Sequence, residues 1–163
     1  MIDVQDQPDV RKVPIDRVGV KNLSYPNAKI FVLGVDVLWT TLCPYSKELS
    51  GHGAHDQCSV IRVRVRYMGF VWIEELIKIA EASASSPLYA LLKRKDEKAV
   101  IEHAYDHPMF CEDGVREAAV KLNADSRILW YSVESENIES IHNHNEYAKV
   151  ERVKNGGWRS RRK

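Results

Sequence analysis

No stretch of this chain approaches the about 20 consecutive apolar residues that a membrane-crossing helix needs. Its amino terminus, M-I-D-V-Q-D-Q-P-D-V, is acidic and polar where a secretory signal is positive and then apolar. The expectation is a cytoplasmic protein with no membrane contact. Cysteine is sparse as well: Cys43, Cys58 and Cys111 are odd in number and irregularly spaced, and no C-x-x-C pair occurs. That pattern argues against a disulfide framework and a zinc ribbon, and favours a reducing compartment. Neither sign of charge dominates, since 24 Lys and Arg stand against 23 Asp and Glu for a formal +1. Broad affinity for nucleic acid is not expected, and the Arg62, Arg64, Arg66 cluster has no aromatic stacking pattern beside it. Any anion must be bound locally. No internal repeat divides the sequence.

What is present suits one domain. With 163 residues, 44% of them hydrophobic and 29% charged, the chain can bury roughly two thirds of the surface its unfolded form exposes. Residues 1–27 carry Pro8, Pro14 and Pro26 without a sustained period and read as an extended arm. A single domain is expected over 28–155, then a basic flexible tail over 156–163. From Lys29 to Thr40, Phe31, Leu33, Val35, Val37 and Trp39 occupy alternate positions; apolar Ile30, Val32 and Leu38 on the other face mark an interior strand. From Ser59 to Tyr67, apolar Ile61, Val63 and Val65 alternate with Arg62, Arg64 and Arg66, giving one buried and one cationic face. Trp72, Ile73, Leu76, Ile77 and Ala80 then follow helical spacing until the serine-rich run to Pro87. A second helix spans about Lys95 to Tyr105. A third is placed after Pro108, which suits a first helical position, and runs to Asn123. Ile128 to Glu136 and Glu146 to Val153 read as strands. Strand, strand, helices, strand, strand implies an antiparallel sheet layered by helices, an α+β fold.

The residues able to carry chemistry concentrate in two runs. One is T-L-C-P-Y-S-K-E-L-S-G-H-G-A-H, with Cys43 and His55; the other is E-S-E-N-I-E-S-I-H-N-H, from Glu134 to His144. A thiolate, imidazoles and carboxylates are what a catalytic zinc ion takes when it keeps one position open for water. Cys43, ahead of Pro44 at the mouth of a loop, is either a strong zinc ligand or a small buried hydrophobe. His52 and His55 lie in a glycine-flanked loop able to fold back toward Cys43, though a loop histidine is otherwise simply solvated. Glu97 belongs to the charge run L-L-K-R-K-D-E-K, which also reads as a solvated helical face. His142 and His144 stand two apart and either share one side of a strand or reach a metal from a loop. Glu112 is a functional carboxylate or one that a helix N-terminus favours.

These runs accompany others in a fixed order. They include I-D-R-V-G-V-K-N-L-S-Y-P (Ile15 to Pro26), T-T-L-C-P-Y-S-K-E-L-S (Thr40 to Ser50), G-A-H-D-Q (Gly53 to Gln57) and W-I-E-E-L-I-K-I-A-E (Trp72 to Glu81). L-L-K-R-K-D-E-K (Leu91 to Lys98), A-Y-D-H-P-M-F-C-E-D (Ala104 to Asp113) and W-Y-S-V-E-S-E-N-I-E-S-I-H-N-H (Trp130 to His144) complete the set. Together they resemble the type IB GTP cyclohydrolases, enzymes of the tunnelling fold that open the guanine ring of GTP on the way to folate-type pterins. The resemblance covers an amino-terminal segment and the carboxy-terminal half, with most of the first half missing. It implies a four-stranded antiparallel sheet with helices layered on one face.

The implied reaction is metal-dependent hydrolysis of GTP to 7,8-dihydroneopterin triphosphate and formate, the first step of tetrahydrofolate biosynthesis. By the same resemblance Cys43, Glu97 and His142 are the metal ligands, Cys43 and His55 are catalytic with His55 as acid or base, and Glu112 anchors the guanine ring. The implied metal is zinc, with manganese or iron as alternatives. GTP is the implied partner, and a homo-oligomer is expected because tunnelling-fold sites lie between neighbouring sheets. The chemistry agrees: a neutral histidine can shuttle protons, and an ionised Glu112 can accept from the paired N–H donors on guanine's N1 and N2 edge. By charge alone Lys93, Arg94, Lys98 and the Arg62 to Arg66 face are candidates for the triphosphate. The family usually has a second cysteine where Tyr45 stands and Asn-Gln-Arg where Asp56, Gln57 and Cys58 stand. Two other readings exist: a truncated, non-catalytic tunnelling-fold remnant that binds metal or guanine nucleotide, and a tunnelling-fold enzyme with Cys43 as covalent nucleophile, as in nitrile reductases.

Overall fold

The computed structural model describes residues 31–154. The arm expected over 1–27 and the tail over 156–163 lie outside the described residues. Within them the chain runs β1 (Leu33–Leu42), α1 (Pro44–Leu49), β2 (Asp56–Tyr67), α2 (Ile73–Glu81), β3 (Ser86–Pro87), α3 (Arg94–Asp106), α4 (Cys111–Ala124), β4 (Ile128–Ile138) and β5 (Glu146–Val153). The strands form one antiparallel sheet in the order β3-β1-β2-β4-β5. The architecture is α+β.

Alternation decides which face is buried. Val35 pairs with Val63, Val37 with Ile61, Val63 with Val133, and Val133 with Val150. These residues share one face, and all but the half-buried Val150 are buried, with Trp39, Val65 and Tyr131 beside them. Leu76 and Ala80 of α2 and Val115, Ala118, Ala119 and Leu122 of α4 complete the core. Burying a side chain of this size contributes about 1.5–3 kcal/mol, so this layer is the main source of stability. Gly114 lets α4 approach closely: a Cβ there would stand 2.4 Å from Cη2 of Trp39 and 2.9 Å from the Ser83 carbonyl oxygen.

The opposite face is charged and internally paired. Across four strands the register aligns Asp36, Arg62, Glu134 and Lys149, alternating in sign. Arg64 pairs with Asp36 and donates to the Val35 carbonyl at 2.9 Å. Arg62 reaches Glu136 at 3.7 Å, and the Arg66 guanidinium lies 5.0 Å from the Trp130 ring centre. The expected cationic face is therefore a lattice of opposed charges.

Three expectations need correction. The sheet has five strands, not four, because Ser86 and Pro87 at the end of the serine-rich run pair with Thr40 and Trp39. Two residues carry no period, so composition shows only a helix ending there. Helix α1 also goes beyond the sequence reading; Pro44 occupies its first turn and Cys43 caps it. The third helix begins at Cys111 rather than after Pro108, since the Met109 N–H is taken by the Leu42 carbonyl at 3.0 Å. Among the described residues no helix is long and apolar enough to cross a membrane.

Candidate functional site

Antiparallel pairing brings four strand ends together. Leu42 at the end of β1 faces Asp56 at the start of β2, Cys58 faces Ile138 at the end of β4, and Asn137 faces Glu146 at the start of β5. Cys43, His55 and the 139–145 connection that carries His142 and His144 therefore emerge at the same end of the sheet.

The turn holding Cys43 and His55 is knitted by Ser46. The Cys43 N–H donates to the His55 carbonyl at 3.1 Å, and the His55 N–H donates to Ser46 Oγ at 3.2 Å. Ser46 Oγ donates to the Cys43 carbonyl at 3.1 Å, while its N–H points at Cys43 Sγ at 3.4 Å. The cysteine thus takes the N-cap place that serine or aspartate more often fills. Cys43 and His55 are half-buried; His52, His142 and His144 are exposed. The His142 and His144 rings stack with centres 5.4 Å apart, and His55 Nδ1 lies 3.1 Å from Ser140 Oγ.

Beneath the turn lies a buried polar network. Thr41 Oγ1 donates to Gln57 Oε1 at 3.3 Å, Asn137 Nδ2 donates to Thr41 Oγ1 at 2.9 Å, and Gln57 Nε2 donates to Glu139 Oε1 at 2.9 Å. Asn137 also donates to Glu146 Oε2 at 3.3 Å. Among the described residues, Oδ1 of Asn137 and Oε2 of Glu139 are buried acceptors without a partner, which is costly unless a donor or cation arrives.

Glu112 joins this end through α4. Cys111 Sγ donates to the Ser135 carbonyl at 3.4 Å, and Glu112 follows in the first helical turn, exposed. Burial pushes the Glu146 carboxyl above its ordinary value, and the charges of Glu139 and Glu112 push it the same way. Acceptors thus crowd the end of the sheet.

Glu97 stands elsewhere. It is exposed in the first turn of α3, in an open hollow with Arg94, Lys98, Ile101 and Glu102. The far end of α3 is tied to α1 by Lys47, which donates to the Tyr105 carbonyl and lies 4.2 Å from that ring's centre. Eight residues of helix, about 12 Å, separate Glu97 from Tyr105. Among the described residues no three His, Cys, Asp or Glu side chains come together as a metal-holding group. The donor chemistry nevertheless fits a zinc-type ion: a half-buried thiol and exposed imidazoles sit at an end lined with unpaired acceptors.

The family model of the type I GTP cyclohydrolase folE2 matches residues 27–148. The chain belongs to this GTP cyclohydrolase family. It is similar to the GTP cyclohydrolase FolE2 of Geotalea uraniireducens (strain Rf4), 61% identical over 124 residues covering 76% of this chain and 46% of the relative. To the FolE2 of Geobacter sulfurreducens it is 60% identical over 124 residues, covering 76% of this chain and 48% of the relative. To that of Citrifermentans bemidjiense it is 58% identical over 122 residues, 75% of this chain and 46% of the relative. The chain spans about half the length of the curated relatives it matches. The GTP cyclohydrolase part of the sequence resemblance is borne out.

Sequence reasoning missed the residues that hold the candidate site together. Ser46 was detectable, as a serine three positions after a capping residue ahead of proline. Ser140, Gln57 and Asn137 were not, because the partners of the first two lie about 80 positions away across the β2–β4 pairing and that of Asn137 lies on β1.

Proposed function

We propose that this chain, in the oligomer it forms, is a type IB GTP cyclohydrolase that hydrolyses GTP to 7,8-dihydroneopterin triphosphate and formate. The setting is cytoplasmic tetrahydrofolate biosynthesis. What supports this most is that Cys43, His55, Glu112 and His142, scattered over a hundred positions, emerge at one end of one sheet in a chain of this family.

In this reading Glu112 holds the guanine ring by accepting from its N1 and N2 hydrogens, which presents C8 to the Cys43–His55 turn. His55 moves protons among the attacking water, the ring nitrogen and the departing formate. Cys43, His142 and Glu97 hold a divalent metal, zinc or alternatively manganese or iron. When bound, it supplies Lewis-acid activation of water near neutral pH. Glu97 joins the other two from a neighbouring copy, in keeping with tunnelling-fold sites that lie between sheets and with its place at the end of α3 remote from the Lys47–Tyr105 contact. The triphosphate draws on Lys93 and Arg94, since Arg62, Arg64 and Lys98 are already paired with carboxylates.

Incubating the protein with GTP and zinc or manganese, then oxidising and reading pterin fluorescence, tests the proposal. Product above a Cys43→Ala control is expected; equal signals would sink it. The half-length match favours one second reading, a domain that binds metal or guanine nucleotide without turnover, which nucleotide binding with no fluorescent product would select.

A further inference from the structure

The backbone ladder between β2 and β4 stops at Cys58 and Ile138, yet the two strands stay joined beyond it through side chains. Gln57 bonds Glu139 at 2.9 Å, and His55 Nδ1 meets Ser140 Oγ at 3.1 Å. His55 is held in two separate ways. Its backbone is fixed by Ser46 and Cys43, which leaves the ring free to turn. Among the described residues, Ser140 is the hydrogen-bond partner of that ring, and it binds Nδ1, leaving Nε2 available.

We propose that Ser140 is the positioning residue of His55, orienting the imidazole through Nδ1 while following it through both neutral tautomers. The chemistry lies in the hydroxyl, which has one donor and two acceptor lone pairs. When Nδ1 carries the proton, Ser140 accepts a hydrogen bond from Nδ1–H and Nε2 is a base. When Nε2 carries the proton, the hydroxyl rotates and donates to Nδ1, and Nε2 is an acid. A carboxylate in that place could only accept and would hold the ring in the Nδ1–H form. A hydroxyl suits a histidine that must take and return protons within one turnover.

This inference rests on the reading of His55 as the proton carrier, so the test has one arm that needs no turnover. In the full chain, long-range ¹⁵N–¹H spectra of the histidine rings, with His55 assigned from His55→Ala, report the tautomer balance directly. Ser140→Ala is expected to shift the Nδ1 resonance and change that balance, Ser140→Thr to restore it, and Ser140→Asp to drive the ring to Nδ1–H. In the second arm, turnover of GTP by Ser140→Ala is expected to lose roughly tenfold in kcat with KM within about twofold, as for a misaimed group, and Ser140→Thr to recover it. Unchanged His55 resonances in Ser140→Ala overturn the proposal, as does a loss confined to KM. A parent chain that turns over no GTP defeats the cyclohydrolase reading alone, and the spectra still decide the role of Ser140.

Discussion

The six-membered ring of Trp39 lies against the Cα of Gly114, so that α4 rests on the centre of the sheet with no side chain between them. A methyl group there would come within 2.4 Å of Cη2, and Trp39 is fully buried and cannot retreat. Gly114→Ala is expected to destabilise the fold by about 1–3 kcal/mol despite the better helix propensity of alanine. Urea unfolding followed by tryptophan fluorescence measures it; an unchanged midpoint would mean that α4 does not seat as described.

At the opposite end of the sheet, Arg127 gathers Glu75 and Asp125. Hydrogen bonds from its guanidinium hold both carboxyls below their ordinary values of 4.5 and 3.8. The sign follows from linkage: the contribution is complete above the ordinary carboxylate range and is lost as pH falls through the depressed values. Melting temperature against pH is expected to fall more steeply below about pH 4 for the parent than for Arg127→Met, the curves converging in acid. Parallel curves would contradict this.

Glu146 has the opposite sign. Burial and the neighbouring charges of Glu139 and Glu112 raise its carboxyl above the ordinary value of 4.5. Its ionised form is therefore a cost that is absent in acid and complete once pH exceeds the raised value. In chelator-treated protein, Glu146→Gln is expected to melt higher than the parent at pH 7 and level with it at pH 4. A lower melting temperature at pH 7 would show that the bond from Asn137 outweighs the crowding of charge.

The proposed sharing of a metal site between copies has its own test. Cys43→Ala and Glu97→Ala chains are each expected to lose GTP turnover and bound zinc. Unfolded together in equal amounts and refolded, they should regain about a quarter of the parent's activity, the fraction of interfaces that draw an intact residue from each side. No recovery would place both ligands on one chain.

Long periodic segments were legible because one buried face imposes alternation on its strand. Val35, Val37 and Trp39 announced β1, and Ile61, Val63 and Val65 announced β2. The Ser86–Pro87 strand was invisible because it exists only through the edge of β1 that it completes. Helix α1, with no buried residue, had no apolar stripe to show. At the site, residue types pointed to Cys43 and His55, which are near in sequence and in space. Nothing local could reveal that Ser140 would stand against His55, because that proximity is set by where the β2–β4 ladder ends. Glu97 lies in an ordinary charge run, so only family likeness singled it out.

The central pairing of the sheet joins Val63 to Val133, seventy positions apart, whereas β1–β2 and β4–β5 are each closed by short connections. Local pairs close quickly and distant ones slowly, because the longer loop must lose more entropy before its contacts form. Folding should therefore yield two ribbons first, with their docking last. The seam between them runs through the candidate site: Cys43 and His55 arrive on one ribbon, Glu139, Ser140 and His142 on the other. Chemistry placed on that seam is withheld from every partly folded chain, so that only a finished domain can present it.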